Sequence, residues 1–289
     1  MKSRLALGTA QFGLAYGIAN LCGQVTRGDA AAILTAARVG GLDTLDTAIA
    51  YGDSEDCLGT LGVTDWRVVS KLPPLPDDCA DVASWVTTQL DGSLRRLGVD
   101  RLYGLLLHNS QQLLGRAGIE LGGALRKARD NGQVERIGVS IYNPDDLASI
   151  YSVLQPDLVQ APLNLVDRRL VDSGWLRRLG DDGVEVHTRS CFLQGLLLMP
   201  KVPARFAPWQ ALWLSWQQWL AAHPGQAAAA CLAYPLSYPE VARIVVGVDS
   251  LTQLTELLVA IQLLPPVGEL PDLRCEDERL INPSFWNTL

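Results

Sequence analysis

Several motifs that identify common classes of enzyme are missing from this 289-residue sequence. It contains no HExxH zinc motif, no P-loop and no GxSxG nucleophile turn. None of its six cysteines forms a CxxC pair, and His187 and His223 have no partner at a metal-binding spacing. We therefore expect no metal site and no dense disulfide framework, but reduced, mostly buried thiols of the kind found in cytoplasmic proteins.

Long apolar runs and an excess of positive charge are also missing. The net charge of −7 argues against binding to nucleic acid or to an anionic membrane by general electrostatics, because such partners attract a basic face. Gly8, Gln11 and Gly13 interrupt the apolar run near the N-terminus, which therefore predicts neither a signal peptide nor a spanning helix. We expect a cytoplasmic protein without a nucleic-acid or membrane partner.

The composition is typical of a globular protein, with 48% apolar and 19% charged residues. The chain is longer than most single domains, but an α/β barrel of roughly 250 residues forms one domain. We therefore expect a single domain over residues 1–289.

Short apolar, β-rich runs alternate with segments of helical spacing. The predicted strands are Leu5–Gly8, Leu42–Asp46, Trp66–Lys71, Tyr103–His108, Arg136–Ser140, Leu158–Pro162, Val184–Ser190 and Arg243–Gly247. The predicted helices between them are Arg27–Val39 with Thr26 as N-cap, Ser54–Leu61, Ala80–Leu97, Leu121–Asn131, Asp145–Leu154, Asp172–Leu179 and Leu251–Leu264. This alternation predicts an α/β fold with parallel strands, the (β/α)8 or TIM barrel. An open doubly wound sheet has the same alternation, but no GxGxxG follows the first strand.

Two segments exceed what a minimal barrel needs. Extra helices are predicted at about 205–235, one over Pro208–Ala222 and one over Gln226–Ala233, and a C-terminal tail begins at about 265. Four tryptophans share one face of the first extra helix: Trp209, Trp213, Trp216 and Trp219. Such a face packs in the core or in a subunit interface, so a homo-oligomer is left open. In the tail, Phe285 and Trp286 are expected to dock on the barrel.

Ionisable residues end three successive strands. Asp46 ends the second strand, Lys71 the third and His108 the fourth, and Tyr51 follows on the loop after the second. Because the active sites of parallel barrels form at the carboxyl ends of the strands, we expect these four side chains to share one rim. Each alone also fits an ordinary role: a helix cap, a solvent-reaching lysine, a core histidine or a packing tyrosine.

Together these four side chains suit proton transfer to an oxygen. A phenol titrates near pH ~10, and an adjacent ammonium lowers this pKa by favouring the phenolate. Lys71 is the available ammonium, and Asp46 would be its counter-ion. His108 could donate a hydrogen bond to a polarised oxygen, so the arrangement suits a general acid that protonates an oxygen as negative charge develops on it.

Motifs along nearly the whole chain resemble the aldo-keto reductase superfamily. They are LALGTAQFG at Leu5 to Gly13, then LDTAIAYGDSE, VVSKLP, LLLHN, GQVERIGVS, LVQAPLNLVDRR, GLLL and IVVGVDSLTQLTELL, ending at Leu258. The resemblance implies a (β/α)8 barrel that transfers hydride between a carbonyl and NADP or NAD. It also implies that Tyr51 donates the proton, that Lys71 and Asp46 tune it, and that His108 orients the carbonyl.

The same resemblance implies a cofactor site. Ser140 and Gln160 match positions that bind the nicotinamide carboxamide, but Ile141 replaces the usual Asn. Arg189 stands where the family commonly has an aromatic residue stacked on the nicotinamide. A guanidinium can stack there or reach a phosphate, and a salt-bridged arginine at the rim is the alternative. The phosphate-binding segment matches Gly247, Val248, Asp249, Ser250 and Gln253, with Asp249 replacing a basic residue, so we predict a relaxed cofactor preference or one shifted toward NAD.

We predict an NAD(P)H-dependent reductase of a small aldehyde, ketone or sugar-derived carbonyl. The candidate substrate-binding residues are Gln11, Phe12, Tyr16, Asn109, Phe192 and Trp286. Two alternatives remain: a cofactor-binding regulatory or scaffold protein, and a barrel lyase or isomerase that uses Lys71 as a Schiff-base amine.

Overall fold

Eight parallel strands close into a barrel in which each strand pairs with its neighbours in the sequence and β8 pairs with β1. In the computed structural model, which describes residues 3–288, the strands are β1 (Leu5–Gly8), β2 (Thr44–Asp46), β3 (Arg67–Leu72), β4 (Leu102–Leu107), β5 (Val134–Ser140), β6 (Leu158–Pro162), β7 (Glu185–Arg189) and β8 (Val241–Gly247). The predicted (β/α)8 fold class is confirmed.

Helices surround the barrel. They are α1 (Ala10–Gly13), α2 (Arg27–Val39), α3 (Ser54–Leu61), α4 (Val82–Leu97), α5 (Gly118–Asp130), α6 (Asp146–Tyr151), α7 (Arg169–Asp172), α8 (Trp175–Asp181), α9 (Gln210–Ala222), α10 (Ala227–Leu236), α11 (Leu251–Ala260) and α12 (Glu278–Ile281). Short 3₁₀ helices cover Ser110–Leu114, Leu196–Leu198, Ala204–Trp209, Val267–Glu269 and Pro283–Thr288.

The predicted boundaries hold best where local chemistry fixes them. The bounds of β1, β6, α2 and α3 agree with the prediction, and Thr26 caps α2 by accepting a hydrogen bond from the Asp29 amide. The prediction of one helix over Asp172–Leu179 is wrong, because Gly174 adopts φ +79° and separates α7 from α8. Helix α11 ends at Ala260, well before the predicted Leu264, and β2 begins only at Thr44.

The main hydrophobic core lies between the strands and the helices, and a smaller cluster of Val69, Tyr103, Leu106 and Leu158 is separate from it. Val69 and Lys71 alternate along β3 onto the same face of the strand. Since the Asp46 carboxylate that binds Lys71 also accepts a hydrogen bond from Gln160 on the opposite strand β6, this face of β3 points into the barrel, and the smaller cluster lies there beneath the rim.

The tryptophans of the extra segment are core residues of this chain. Trp213, Trp216 and Trp219 of α9 are buried, whereas Trp209 belongs to the preceding 3₁₀ helix and is only partly buried. In the tail, Trp286 packs edge-on against Phe206 with ring centroids 4.9 Å apart. The core alternative is therefore confirmed for these side chains, and the tail docks on the segment after β7.

His187 in β7 is part of a buried polar network. It is fully buried, and its Nε2 lies 2.7 Å from Glu185 Oε1. Glu185 also accepts a hydrogen bond from the Tyr103 hydroxyl and forms an ion pair with Arg136. These groups form a polar network in the part of the barrel away from the carboxyl ends of the strands.

The described residues contain neither a membrane-crossing helix nor a cluster of metal ligands. Across residues 3–288, no helix has the length and apolar character needed to cross a membrane. Within the same range, no three His, Cys, Asp or Glu side chains are grouped closely enough to hold a metal ion. All six cysteines are free, and Cys57, Cys191 and Cys231 are buried.

Candidate active site

The four ionisable residues predicted at the rim are brought together by the barrel. Lys71 Nζ lies 2.7 Å from Asp46 Oδ1 and 5.2 Å from the centroid of the Tyr51 ring. The Tyr51 and His108 rings meet edge to face with centroids 5.6 Å apart. His108 lies one residue beyond β4, and both rings are partly exposed, whereas Asp46 and Lys71 are buried. The site therefore has a buried charged pair below and two rings open to a ligand above.

The buried pair is held by two further groups. Lys71 Nζ also donates to the Thr47 carbonyl at 2.9 Å, and Gln160 Nε2 donates to Asp46 Oδ2 at 2.6 Å. Both carboxylate oxygens of Asp46 are thus engaged, and its orientation is fixed. Because Lys71 is 1% exposed and already has two acceptors, its amine is poorly placed for the Schiff-base alternative.

Close backbone packing fixes the loop that carries Tyr51. A Cβ on Gly13 would lie 1.8 Å from the Tyr51 carbonyl oxygen, and one on Gly52 would lie 2.3 Å from the Gly13 carbonyl oxygen. Gly52 also adopts φ +56°, which an L side chain rarely does. Beneath them, the Ser54 hydroxyl donates to the Thr9 carbonyl at 2.8 Å. These contacts join the loop after β2 to the loop after β1, so Tyr51 cannot move without moving both.

Burial controls the protonation of the site. It raises the pKa of Tyr51, and the negative charge of Asp46 raises it further, although the positive charge of Arg189 opposes both effects. This direction is opposite to the one expected from the sequence, because desolvation of the phenolate outweighs the attraction of nearby cations. Burial also lowers the pKa of Lys71 despite the attraction of Asp46. At neutral pH Tyr51 is therefore a phenol with a proton to give.

His108 is neutral at physiological pH. Burial lowers its pKa to about 4, and the positive charge of Lys71 lowers it further, against the attraction of Asp46. A neutral imidazole has one N–H to donate, which suits a hydrogen bond to a carbonyl oxygen. His108 can therefore orient a carbonyl without adding a full charge.

The residues predicted to hold a nicotinamide carboxamide lie on neighbouring strands. Ser140 at the end of β5 is paired in register with Gln160 of β6, and both are buried. The Gln160 amide nitrogen binds Asp46, which leaves its amide oxygen as the atom that can accept from a ligand. Ile141, in place of the family's Asn, is fully buried and supplies no side-chain hydrogen bond.

Arg189 ends β7 on the same rim. Its Nη2 donates to the Ile141 carbonyl at 3.0 Å, its Nη1 donates to Ser190 Oγ at 3.3 Å, and its guanidinium carbon lies 4.1 Å from the centroid of the Tyr142 ring. No carboxylate among residues 3–288 forms an ion pair with it. The alternative of a salt-bridged arginine at the rim is therefore wrong.

The segment after β8 leads into the N-terminus of α11 and carries a buried carboxylate oxygen. Ser250 caps α11 by accepting from the Gln253 amide, and Gln253 Oε1 in turn accepts from the Asp249 amide at 2.7 Å. Asp249 Oδ1 is buried and has no hydrogen-bond partner in the described structure. Gly247 is exposed, Val248 is buried behind it, and a Cβ on Gly247 would lie 2.7 Å from Gln11 Nε2. Gln11 thus contacts this segment from the loop after β1.

The other predicted substrate residues divide into two groups. Tyr16 and Asn109 are exposed; the Tyr16 hydroxyl accepts from Gln194 Nε2 at 3.0 Å, and Asn109 Oδ1 accepts from the Gln111 amide. Phe12, Phe192 and Trp286 are buried in the core, with at most 9% of each side chain exposed. These three side chains therefore pack in the core and expose little surface to a substrate, contrary to the prediction.

Sequence reasoning missed two residues of the site and one contact of a third. Gln160 was assigned to a cofactor, not to Asp46, and neither Tyr142 nor Gln194 was considered. Tyr142 follows the GVS motif by two positions, which could have indicated it. Gln194 has φ +52°, in a loop where Ser190 and Leu193 also have positive φ, and no motif predicts this conformation.

Comparison with known proteins identifies the family. The Aldo/keto reductase family model matches residues 4–266, and a search of curated proteins gave no match. The aldo-keto reductase AKR11C1 from Bacillus halodurans, in its holo form, is similar in structure with a TM-score of 0.76 and 19% identity, over 96% of this chain and 95% of its own. An aldo-keto reductase structure from Pseudomonas aeruginosa gives 0.68 and 22% identity, over 90% of this chain and 89% of its own. At these identities the two structures establish the fold alone. Because the family model covers most of the sequence, this chain belongs to the aldo/keto reductase family, whose members are oxidoreductases that reduce carbonyl compounds with a nicotinamide cofactor.

Proposed function

We propose that this protein reduces a small aldehyde, ketone or sugar-derived carbonyl with Tyr51 as the proton donor. The observation that carries the proposal is the arrangement of Tyr51 and His108 edge to face above the buried Lys71 and Asp46 pair. A phenol that stays protonated and an imidazole that stays neutral can both hydrogen-bond one carbonyl oxygen.

His108 and Tyr51 act on the carbonyl oxygen in different ways. His108 donates a hydrogen bond that holds the carbonyl in place, and Tyr51 donates the proton as negative charge develops on the oxygen. Lys71 stabilises the phenolate that remains, since its ammonium lies 5.2 Å from the ring centroid. Asp46, fixed by Gln160, keeps the ammonium in that position.

The residues at the rim fit a nicotinamide dinucleotide. When bound in its reduced form, the cofactor supplies the hydride that the carbonyl carbon accepts. Ser140 and the amide oxygen of Gln160 would hold the carboxamide, and the N-terminus of α11 would bind a phosphate. Asp249 bears on which form of the cofactor fits. Its buried Oδ1 has no hydrogen-bond donor in the described structure. A ribose 2′-hydroxyl can donate to this oxygen, whereas a 2′-phosphate cannot and would be repelled by the carboxylate. We therefore also propose a preference for NAD, or a relaxed preference.

Substitution of Tyr51 by Phe tests the proton donor. We expect wild-type protein to oxidise NADH or NADPH in the presence of some member of a panel of aldehydes, ketones and aldoses, followed by absorbance at the nicotinamide band. Tyr51→Phe should lower kcat by about 10²- to 10⁴-fold, because it removes a general acid and little else. Fluorescence titration with the reduced cofactor should give a Kd within threefold of the wild-type value.

Two results would contradict the proposal. A Tyr51→Phe variant that retains more than about a tenth of wild-type kcat would exclude Tyr51 as the donor. Tight cofactor binding by wild-type protein, without oxidation by any carbonyl of the panel, would instead favour the regulatory or scaffold alternative.

A further inference from the structure

Arg189 is a cation whose partners among residues 3–288 are all neutral. Its two hydrogen bonds go to a backbone carbonyl and a hydroxyl, and its flat face lies on the Tyr142 ring. A guanidinium carries five N–H donors, so these contacts leave donors available to a ligand. Half-buried arginines normally have an anionic partner, because a charge removed from water requires compensation. The partner of Arg189 is not among the described residues 3–288.

The guanidinium belongs to the catalytic site in electrostatic terms. Its positive charge acts to lower the pKa of Tyr51, Lys71 and His108, all of which lie close enough to respond to it. Lys71 and Asp46 neutralise each other, and His108 is neutral at physiological pH. Among Asp46, Lys71, His108 and Arg189, the charge that no neighbour compensates is therefore that of Arg189, in a protein whose net charge is −7.

The direction of the Arg189 side chain separates it from the phosphate segment. Its strand, β7, lies between β6 and β8 in the barrel. Its head contacts Ile141 and Tyr142, which follow β5 on the far side of β6. The segment from Gly247 to Gln253 follows β8, on the opposite side of β7. Arg189 thus points away from the place where phosphate is expected and toward the carbonyl site.

We propose that the substrate carries a carboxylate close to its carbonyl group and that Arg189 binds this carboxylate. The inference rests on the proposed function, since it names the class of substrate that the same site takes. The planar guanidinium matches a carboxylate in a two-bond geometry that a lysine cannot offer. The carbonyl carbon gains a hydride, the oxygen gains the Tyr51 proton, and the carboxylate is unchanged, so a 2-oxo acid becomes a 2-hydroxy acid.

A matched pair of substrates tests this. Benzoylformate and its methyl ester carry the same ketone, but only the acid is charged. We expect wild-type protein to favour the acid in kcat/KM, and Arg189→Gln to lower the ratio of acid to ester by about 10- to 100-fold, mainly through KM for the acid. Arg189→Lys should lower the acid-to-ester ratio of kcat/KM by less than Arg189→Gln does. The matched control is Arg101→Gln, which removes the same charge from an exposed ion pair. Arg101 precedes β4 and so lies at the opposite end of the barrel from Arg189. This variant should leave the acid-to-ester ratio within twofold of the wild-type value.

Other outcomes assign Arg189 differently. A ratio that Arg189→Gln does not change overturns the inference while leaving carbonyl reduction intact. A rise in the KM of NADH that is equal for acid and ester also overturns it, because Arg189 would then serve the cofactor. Binding of mandelate to the protein with NADH, measured by calorimetry, separates the two proposals: loss of binding in Arg189→Gln supports the carboxylate site even if neither ketone is reduced.

Discussion

The buried pair of Lys71 and Asp46 allows a stability prediction with a defined size. The two groups lie 2.7 Å apart, and their side chains are 1% and 5% exposed. Replacing Asp46 by Asn keeps the volume but leaves a buried ammonium without its counter-ion, which costs about 3–5 kcal/mol. For a protein of this size, that loss corresponds to a fall in Tm of about 6–10 °C.

A double-mutant cycle shows whether the loss comes from the pair itself. Lys71→Met removes the ammonium, so Asp46→Asn in that background should cost less than half of what it costs alone. Urea unfolding followed by circular dichroism gives the free energies. Arg101→Gln serves as control: it breaks an exposed ion pair with Glu135 at 2.7 Å and should cost about 0–1 kcal/mol.

The pH dependence of the Asp46→Asn variant gives an independent check. The pKa of Lys71 in the folded protein is below its ordinary value of 10.5. The unfolded chain therefore holds this proton more tightly than the folded protein does. As a result, the free energy of unfolding rises with pH between the folded pKa and about 10.5. Loss of Asp46 lowers the pKa of Lys71 in the folded protein further, so in the variant the free energy of unfolding begins to rise at a lower pH. The deficit of the variant should therefore be smaller at pH 9.5 than at pH 7. A cost below about 1 kcal/mol, or one that does not change with pH, would refute the argument.

Three further predictions follow from the site. Gly13→Ala should lower kcat by at least tenfold, because its Cβ would lie 1.8 Å from the Tyr51 carbonyl oxygen. Gly123→Ala is the control: its Cβ would have no neighbouring atom within 4 Å, so kcat should be unchanged in the same assay. Because the pKa of His108 is about 4, the unfolded chain takes up the proton first, and the free energy of unfolding should fall as pH falls from about 6.5 toward 4. The urea midpoint of the wild type should decrease over this range, and this decrease should be absent in His108→Asn. Asp249→Lys should raise the NADPH to NADH ratio of kcat/KM at least tenfold, and an unchanged ratio would remove Asp249 from cofactor selection.

The sequence predicts the shape of the site better than its electrostatics. Asp46, Lys71 and His108 were found because they end successive apolar runs, and the topology of a parallel barrel places such residues on one rim. The boundaries of α2 and α3 follow from Thr26 and from the Gly62 that ends α3. Each of these signals lies within a few residues of the feature it predicts.

What was not predicted depends on contacts distant in sequence or on burial. The bond between Gln160 and Asp46 joins residues 114 positions apart, and no local pattern specifies it. The direction of the Tyr51 pKa shift depends on how much solvent surrounds its ring, which a list of nearby charges cannot give. The sequence predicts Phe12 as a substrate-binding residue, but α1 turns it into the core.

The bond from Gln160 to Asp46 has a mechanical consequence. Strands β2 and β6 are four places apart in a ring of eight, so they face each other across the full diameter of the barrel. The hydrogen bond therefore joins two opposite strands directly at the level of the candidate catalytic groups. Any repacking of the outer helices that makes the barrel cross-section oval must stretch or compress this bond, and so must shift the carboxylate that holds Lys71 beneath Tyr51. The shape of the whole scaffold and the acidity of a single hydroxyl are in this way coupled through one side-chain amide.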